Sequence, residues 1–391
     1  MIRVTDLVKI YEADGSRDDV RAVDEISFNV EEGEFYTLLG PSGCGKTTTL
    51  RCIAGLERAN GGTIELADTV VVSDRLFVPP YRRDIGMVFQ SYAVWPHMTV
   101  YNNVAFPLQV GHNRPPKAEL RDRVDKALEL VGLDKYQKRM ATQLSGGQQQ
   151  RLSLARAIVR EPSVLLLDEP LSNLDARLRE RMRGELSVIQ QRLGITTIYV
   201  THDQIESLSM SDRIAVMDQG KITQEGTPED IYHQPANEFV ASFIGSTNLF
   251  LGTCSEGSDT ADSRTVDVDF GKLNCPDSPD LHSGSKVVIA IRPENAVLHT
   301  EHRRTSDLPD RPNVFEGTIG IGLFTGTSVE YYIDVAGTLV QAHTTSRVKL
   351  RRGDAVLVEL PPDECRTFSV VDKPRVRVGS RRLSELARVE S

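Results

Sequence analysis

The sequence predicts an α/β domain followed by a small all-β domain. Two observations set the first. Phe35–Leu39, Val164–Leu167 and Thr197–Val200 are largely apolar runs of strand length, as strands buried on both faces are, and helix-like segments alternate with them. A third observation sets the second domain. After Gln234-Pro235-Ala236-Asn237 the pattern changes to short strand-like segments separated by Gly, Asp or Pro.

Taken in order, Phe35–Leu39 leads into a glycine loop, and Thr47–Leu56 then reads as a helix. Ala176–Leu193 is polar with regular apolar positions, the pattern of an amphipathic helix. On this reading the α/β domain spans 1–238, the β-rich domain 239–375 and a basic tail 376–391. Glu238–Ile244 reads as a short helix at the junction. Residues 253–283, rich in Ser, Asp, Thr and Gly, read as turns and exposed loops. Strands are expected at Val287–Ile291, Gly317–Ile321, Val329–Val335, Thr338–His343 and Ala355–Leu360, with a long loop from Thr300 to Pro312. The end of the chain carries Lys373, Arg375, Arg377, Arg381, Arg382 and Arg388. Such a tail can meet anionic lipid or remain a solvated terminus.

Composition narrows the function. A chain of 391 residues, 39% hydrophobic, can build a large core divided between domains. Its net charge of −9 weighs against nucleic-acid binding, which usually shows a basic domain. No run of about 18 apolar residues occurs, so no membrane span is expected. Met1-Ile2-Arg3-Val4-Thr5-Asp6 has no apolar signal core. The expected place is the cytosol, at a membrane only through a partner. Cys44, Cys52, Cys254, Cys275 and Cys365 form no C-x-x-C pair, and free thiols are the simplest reading.

The chemistry begins at Gly40-Pro41-Ser42-Gly43-Cys44-Gly45-Lys46-Thr47, which fits G-x-x-x-x-G-K-[ST] between a predicted strand and a predicted helix. The glycines let backbone N–H groups turn toward phosphates, and the helix start adds partial positive charge. Lys46 supplies a full charge, and Thr47 a hydroxyl for Mg²⁺. Cys44 lies inside this loop. The field at the helix start would lower its pKa and make it reactive, or it serves as a small residue in a crowded loop. Asp168 and Glu169 end the run Val164–Leu167. Asp168 can reach the magnesium, directly or through water, and Glu169 can orient or deprotonate the attacking water, as phosphoryl transfer requires. Leu144-Ser145-Gly146-Gly147-Gln148 opens another predicted helix, from Gln149 to Val159, and is again a site for anions. One nucleotide cannot occupy both helix starts within one chain by an obvious route. A head-to-tail dimer, in which each chain completes the other's site, is the economical solution.

These pieces resemble the ABC ATPases, and the match covers nearly all of 1–238. Leu144–Gln148 looks like that family's signature. In family order, Tyr11 corresponds to the aromatic residue that stacks on adenine, Gly40–Thr47 to the phosphate loop, and Gln90 to the family glutamine. Asp168–Glu169 follow the signature, then the turn Ser172-Asn173-Leu174-Asp175, and last His202. The resemblance implies a P-loop NTPase fold with a helical subdomain, and ATP and Mg²⁺ as ligands. Nucleotide binding then falls to Tyr11, Gly40, Pro41, Ser42, Gly43, Cys44, Gly45, Lys46, Thr47, Thr48, Gln90 and Asp168, with Thr47, Gln90 and Asp168 at the metal. Glu169 and His202 are the catalytic pair. Leu144, Ser145, Gly146, Gly147 and Gln148 face the partner's ATP, and Asp175 lies at the dimer seam. The segment Ser91–Val100 holds the single tryptophan, Trp95. In the family this region receives a helix of the membrane subunit; the alternative is that Trp95 belongs to the core of the helical subdomain.

The carboxy-terminal region resembles the OB-like regulatory (TOBE) domain of maltose-, polyamine- and ferric-iron-type importer ATPases. The carriers are Phe243-Ile244-Gly245-Ser246, Ile291-Arg292-Pro293-Glu294 and the strands through Phe368. Cys365-Arg366-Thr367-Phe368 departs from the usual His-hydrophobic-Phe ending. The resemblance thus implies an importer ATPase. It would work as a homodimer with two transmembrane permease subunits, fed by an extracytoplasmic solute-binding protein. It would sit peripherally on the cytoplasmic face of the inner membrane and bind no nucleic acid. Trp95-Pro96-His97-Met98 and Gly245-Ser246-Thr247-Asn248 look more like iron- or polyamine-type than sugar-type importers. The other class is a soluble, non-transport ABC ATPase. Chromosome-maintenance members insert a long coiled coil, for which Thr48–Gln143 is too short. Ribosome-acting members carry two ATPase domains per chain, and exporters usually fuse a membrane domain.

Overall fold

The computed structural model describes residues 1–12, 19–110, 114–255, 263–277, 281–301, 305 and 311–370. Residues 13–18, most of the 300–312 loop and the basic tail lie outside these residues. The chain divides into two compact units, Met1–Gln234 and Pro235–Ser391.

The first unit runs β1 (Ile2–Tyr11), β2 (Val20–Val30), β3 (Phe35–Leu39), α1 (Lys46–Ala54), β4 (Gly61–Leu66), β5 (Thr69–Ser73), β6 (Leu76–Phe77) and β7 (Ile85–Val88). Then come α2 (Val100–Gln109), α3 (Lys117–Leu130), α4 (Gly146–Ile158), β8 (Val164–Asp168), α5 (Ala176–Leu193), β9 (Thr196–Thr201), α6 (Gln204–Met210), β10 (Arg213–Asp218), β11 (Lys221–Gly226) and α7 (Pro228–His233). Six strands form one sheet in the order β11-β10-β3-β9-β8-β7, parallel except for β11 at the edge.

The apolar runs are explained by two covered faces. Leu165, Leu167, Phe35 and Tyr199 pack with α2, α3 and α4 in one core. Their neighbours Val164, Leu166, Tyr36, Leu38, Ile198 and Val200 pack on the other face with Leu50 and Ile53 of α1. That second core is closed by an antiparallel sheet, β2-β1-β4-β5-β6, which the sequence pattern does not mark out from the rest of the α/β domain. Its strands are only half-buried, and their apolar residues alternate weakly with polar ones.

The parallel strands end level. Leu39 pairs with Thr201, Asp168 with Val200 and Val88 with Leu167. In parallel α/β sheets the crevice beyond the carboxyl ends of the strands is where ligands bind. Every loop that follows β3, β7, β8 and β9 therefore opens onto one edge.

The second unit contains α8 (Glu238–Phe243) and strands β12 (Asn248–Cys254), β13 (Ser263–Val268), β14 (Gly271–Pro276), β15 (Lys286–Ile291), β16 (Val297–His299), β17 (Val314–Phe324), β18 (Ser328–Val335), β19 (Thr338–Thr345), β20 (Ala355–Glu359) and β21 (Arg366–Ser369). They form two five-stranded sheets, β14-β13-β12-β15-β21 and β16-β20-β17-β18-β19, around one core in an OB-like all-β domain. Asn248 joins the sheets: its side chain exchanges two 2.8 Å hydrogen bonds with the backbone of Gln341.

One sequence expectation is corrected here, and one boundary is drawn more finely. The division into compact units falls at Gln234/Pro235, within the boundary segment Gln234–Asn237. Asn237 caps α8 by accepting from the Val240 N–H at 3.0 Å, and the buried Arg292 guanidinium donates to the carbonyls of Ala241, Ile244 and Ser246. The junction is thus bound to the β unit. The region 253–283, read as turns and exposed loops, contains the hairpin β13–β14, with Val268 opposite Gly271. Its outward positions are polar and hide the alternation, but Val266, Leu273 and Cys275 point inward and are fully buried.

Candidate functional site

The loop Gly40–Gly45 connects β3 to α1. Gly45 takes φ 105°, and a Cβ there would come within 2.2 Å of the Ala22 carbonyl oxygen, so only glycine fits. No side chain caps α1, which leaves its first N–H groups open to an anion. Lys46 is buried, and its ammonium donates to the carbonyls of Gly40 at 2.8 Å and Pro41 at 2.9 Å. That holds the charge across the mouth of the loop. Cys44 is also buried, its sulfur 3.7 Å from the Lys46 ammonium. Burial pushes the thiol up, more than Lys46 pulls it down. The reactive-thiol alternative therefore gives way to that of a small residue filling a crowded loop.

Thr47 donates its hydroxyl to Asp168 Oδ1 at 2.9 Å. Burial pushes the Asp168 carboxyl up, against the Thr47 hydrogen bond that favours its ionised form. Among the described residues no group of three or more His, Cys, Asp or Glu could hold a metal by itself. One hydroxyl and one carboxylate form the sparse oxygen set that suits Mg²⁺ when phosphates and water supply its remaining ligands.

Glu169 adopts φ 43°, left-handed for a residue with a Cβ, and its N–H donates to Val200 O at 3.0 Å. The turn brings its carboxylate to two partners from neighbouring strand ends. Gln90 Nε2 donates to Oε2 at 3.1 Å, and His202 Nδ1 lies 3.2 Å from the same oxygen. Gln90, expected at the metal, is thus bonded to Glu169 here, and its carbonyl accepts from Asn173 at 2.7 Å. Tyr11 ends β1 partly exposed, with the Lys9 ammonium 4.8 Å from its ring centre.

The segment Leu144–Gln148 lies elsewhere. Leu144 is buried, Ser145 and Gly146 are exposed, and Gln148 accepts from the Ser145 N–H at 3.0 Å in a capping box. Among the described residues none of its hydrogen bonds reaches the phosphate loop. Asp175 caps α5 by accepting from the Leu178 N–H at 3.0 Å.

Sequence reasoning missed a network behind these loops. Arg179 donates to the carbonyl of Leu174 at 3.1 Å and to Asp203, the residue after His202, at 3.3 Å. Buried Glu206 accepts from Thr201 and Tyr199, each at 2.7 Å, and burial pushes its carboxyl up. The one available signal was spacing: Arg179 stands one helical turn beyond Asp175.

A model of the ABC transporter family matches residues 23–172, and one of the TOBE domain matches 289–368. The trehalose/maltose import ATP-binding protein of Thermococcus litoralis is 50% identical over 305 residues, 75% of this chain and 78% of that one. The spermidine/putrescine import ATP-binding protein of Thermobifida fusca is 49% identical over 316 residues, 80% and 78% of the two chains. The xylose/arabinose import ATP-binding protein of Haloferax volcanii is 42% identical over 377 residues, 94% of each. Among solved structures, a dimeric bacterial ABC transporter cassette superposes with a TM-score of 0.52 at 30% identity, covering 58% of this chain and 99% of that one. A glycine loop at an uncapped helix start, strand ends that gather Asp168, Glu169, Gln90 and His202, and relatives of this similarity lead to one conclusion: the chain belongs to the ABC transporter family, as an ATP-binding ATPase subunit with a carboxy-terminal TOBE domain.

Proposed function

We propose that this ATPase drives solute import, as a head-to-tail homodimer bound to two membrane permease subunits. The observation that carries the chemistry is the convergence of Gln90 and His202 on Glu169, beside the Thr47–Asp168 pair. Lys46 and the α1 N–H groups bind the β- and γ-phosphates of ATP, and Tyr11 stacks on the adenine. Mg²⁺, held by Thr47 and Asp168, would neutralise charge on the transferred phosphoryl group. Glu169 orients the attacking water and accepts its proton, while Gln90 and His202 hold that carboxylate in place.

The exposed Ser145–Gly146 end of α4 supports the dimer, because it is a glycine-rich helix start that a partner's phosphate could reach, and among the described residues its own phosphate loop makes no hydrogen bond to it. That solved family structures are dimers, one of them bound to ADP and Pi, supports the dimer. Pro96 and His97, exposed beside Trp95, offer the surface for a permease helix. Among the described residues no helix is long and apolar enough to cross a membrane, so contact with the inner membrane's cytoplasmic face would come through the permeases. An extracytoplasmic binding protein would deliver the solute. The relatives named for a sugar and for a polyamine are 50% and 49% identical to this chain, so the ATPase sequence does not carry the choice of solute.

Mixing two variants tests the composite site. Ser145→Arg spoils the donated helix end, and Lys46→Ala spoils the phosphate loop. Each alone is expected to lose hydrolysis, and the mixture to regain part of it, because each heterodimer rebuilds one intact site. Wild-type hydrolysis by Ser145→Arg alone would sink the proposal.

A further inference from the structure

Two residues after Gln90 the backbone turns left-handed twice in succession, at Tyr92 (φ 59°) and Ala93 (φ 47°). Neither is glycine, and this conformation is unfavourable for any residue with a Cβ, so neighbouring groups must hold it. Arg156 does. Its Nη1 donates to Ala93 O at 2.6 Å and its Nη2 to Tyr92 O at 3.1 Å. Its guanidinium carbon lies 4.6 Å from the centre of the Trp95 ring, and Trp95 in turn packs on Phe106 of α2 at 4.5 Å. The Tyr92 ring is buried against Leu171 and Leu174, in the turn that leads to Asp175. The segment from Gln90 to Trp95 is therefore fastened at its start by Glu169 and Asn173, and at its end by Arg156 on Tyr92 and Ala93 and by Asn103 of α2, which accepts from the Trp95 N–H at 2.9 Å and donates to its carbonyl at 3.1 Å.

Arg156 stands on α4, the helix whose first turn is Gly146–Gly147. A helix moves as a rigid rod on the scale of its own length, here about 20 Å for thirteen residues at about 1.5 Å each. We propose that Arg156 is a positioning residue for ATP hydrolysis. It passes a shift of the Gln90–Trp95 segment to α4, and so to the Ser145–Gly146 end that completes the partner's site. This inference rests on the composite-site reading above. Two adjacent carbonyls on a tightly turned backbone call for a planar fork of donors, which lysine lacks.

Trp95 is the only tryptophan in the chain, so its emission reports on this contact directly. In the full-length protein, adding ATP should change Trp95 emission, and Arg156→Met and Arg156→Lys should abolish that change. Both variants should bind ATP within about threefold of wild type while kcat drops by about tenfold, a split that an unfolding defect would not produce. Should Arg156→Met fail to fold, Arg156→Lys, which keeps the charge over Trp95, carries the test. An unchanged kcat in the folded lysine variant overturns the inference, as does a wild-type Trp95 emission that ignores ATP. Ser145→Arg separates the two claims. If it hydrolyses ATP normally, the composite site fails; if it is inactive while the Arg156 variants behave as wild type, only the role of Arg156 fails.

Discussion

Two helix starts in the ATPase unit look alike in sequence and differ in structure. The start of α1 is a finished cradle: Gly45 in the left-handed region, no capping side chain, and a buried lysine braced on two loop carbonyls. The start of α4 is capped from within by Gln148, carries no charged side chain in Leu144–Gln148, and leaves Ser145 and Gly146 exposed. A glycine-rich helix start thus suits two different jobs here. With a lysine and a neighbouring carboxylate it fits the proposed nucleotide site; without them it fits the proposed role of completing a site on another chain.

The largest expected effect spares both ends. Glu169→Gln should leave ATP binding intact and lower kcat by about 10²–10⁴, the usual worth of a general base. A near-normal rate in a phosphate-release assay would remove Glu169 from its role. Lys46→Ala should strike the α1 end alone, losing charge-assisted bonds worth about 3 kcal/mol, or about 100-fold in ATP affinity. Unchanged affinity by calorimetry would mean that the cradle is not where the phosphates lie. Gly147→Ala should strike the α4 end alone. The added Cβ would stand 3.0 Å from Leu178 Cδ2 and push α4 away from α5. Overpacking of about 1 kcal/mol should slow hydrolysis severalfold, with ATP affinity unchanged. A matching fall in affinity would show that the two ends are not separable.

The smallest effect is expected in the β unit and should touch neither end. Burial raises the Glu359 carboxyl, but hydrogen bonds from His299 at 2.6 Å and Arg311 at 2.7 Å outweigh it and hold the group below its ordinary value. A depressed folded-state value means stability that is present above the unfolded value, about 4.3, and lost as pH falls through the folded one. Glu359→Gln should therefore lower stability at neutral pH and converge with wild type in acid. A difference that persists below that window would show that packing, not charge, is lost.

What could be read from the sequence followed the same division between motif and shape. Gly40–Thr47, Leu144–Gln148 and Asp168–Glu169 were legible because phosphate chemistry restricts residue type at fixed spacing. The parallel strands were legible because two covered faces leave no regular polar side and favour a largely apolar run. The antiparallel sheet and the β13–β14 hairpin were not, because one polar face dilutes the pattern and the pairing partners are distant or unknown until the fold exists. Arg179 and Arg156 escaped for another reason. They act largely on backbone carbonyls, which look the same in every residue, and their side-chain partners, Asp203 for Arg179 and Trp95 for Arg156, lie far away in sequence.

The strand before Asp168 has a consequence for how such proteins can change. Its side chains alternate strictly: Leu165 and Leu167 face the α2–α4 core, while Val164 and Leu166 face α1. Asp168 continues the second series and so meets Thr47 at the start of α1, until the reversed backbone at Glu169 ends the alternation. This is a parity rule. Exchanging one aliphatic residue for another keeps it, but deleting or inserting a single residue between Val164 and Leu167 inverts it. The inversion would turn the carboxylate toward the helical core and an aliphatic chain toward the nucleotide. Along this strand, spelling can drift while length cannot.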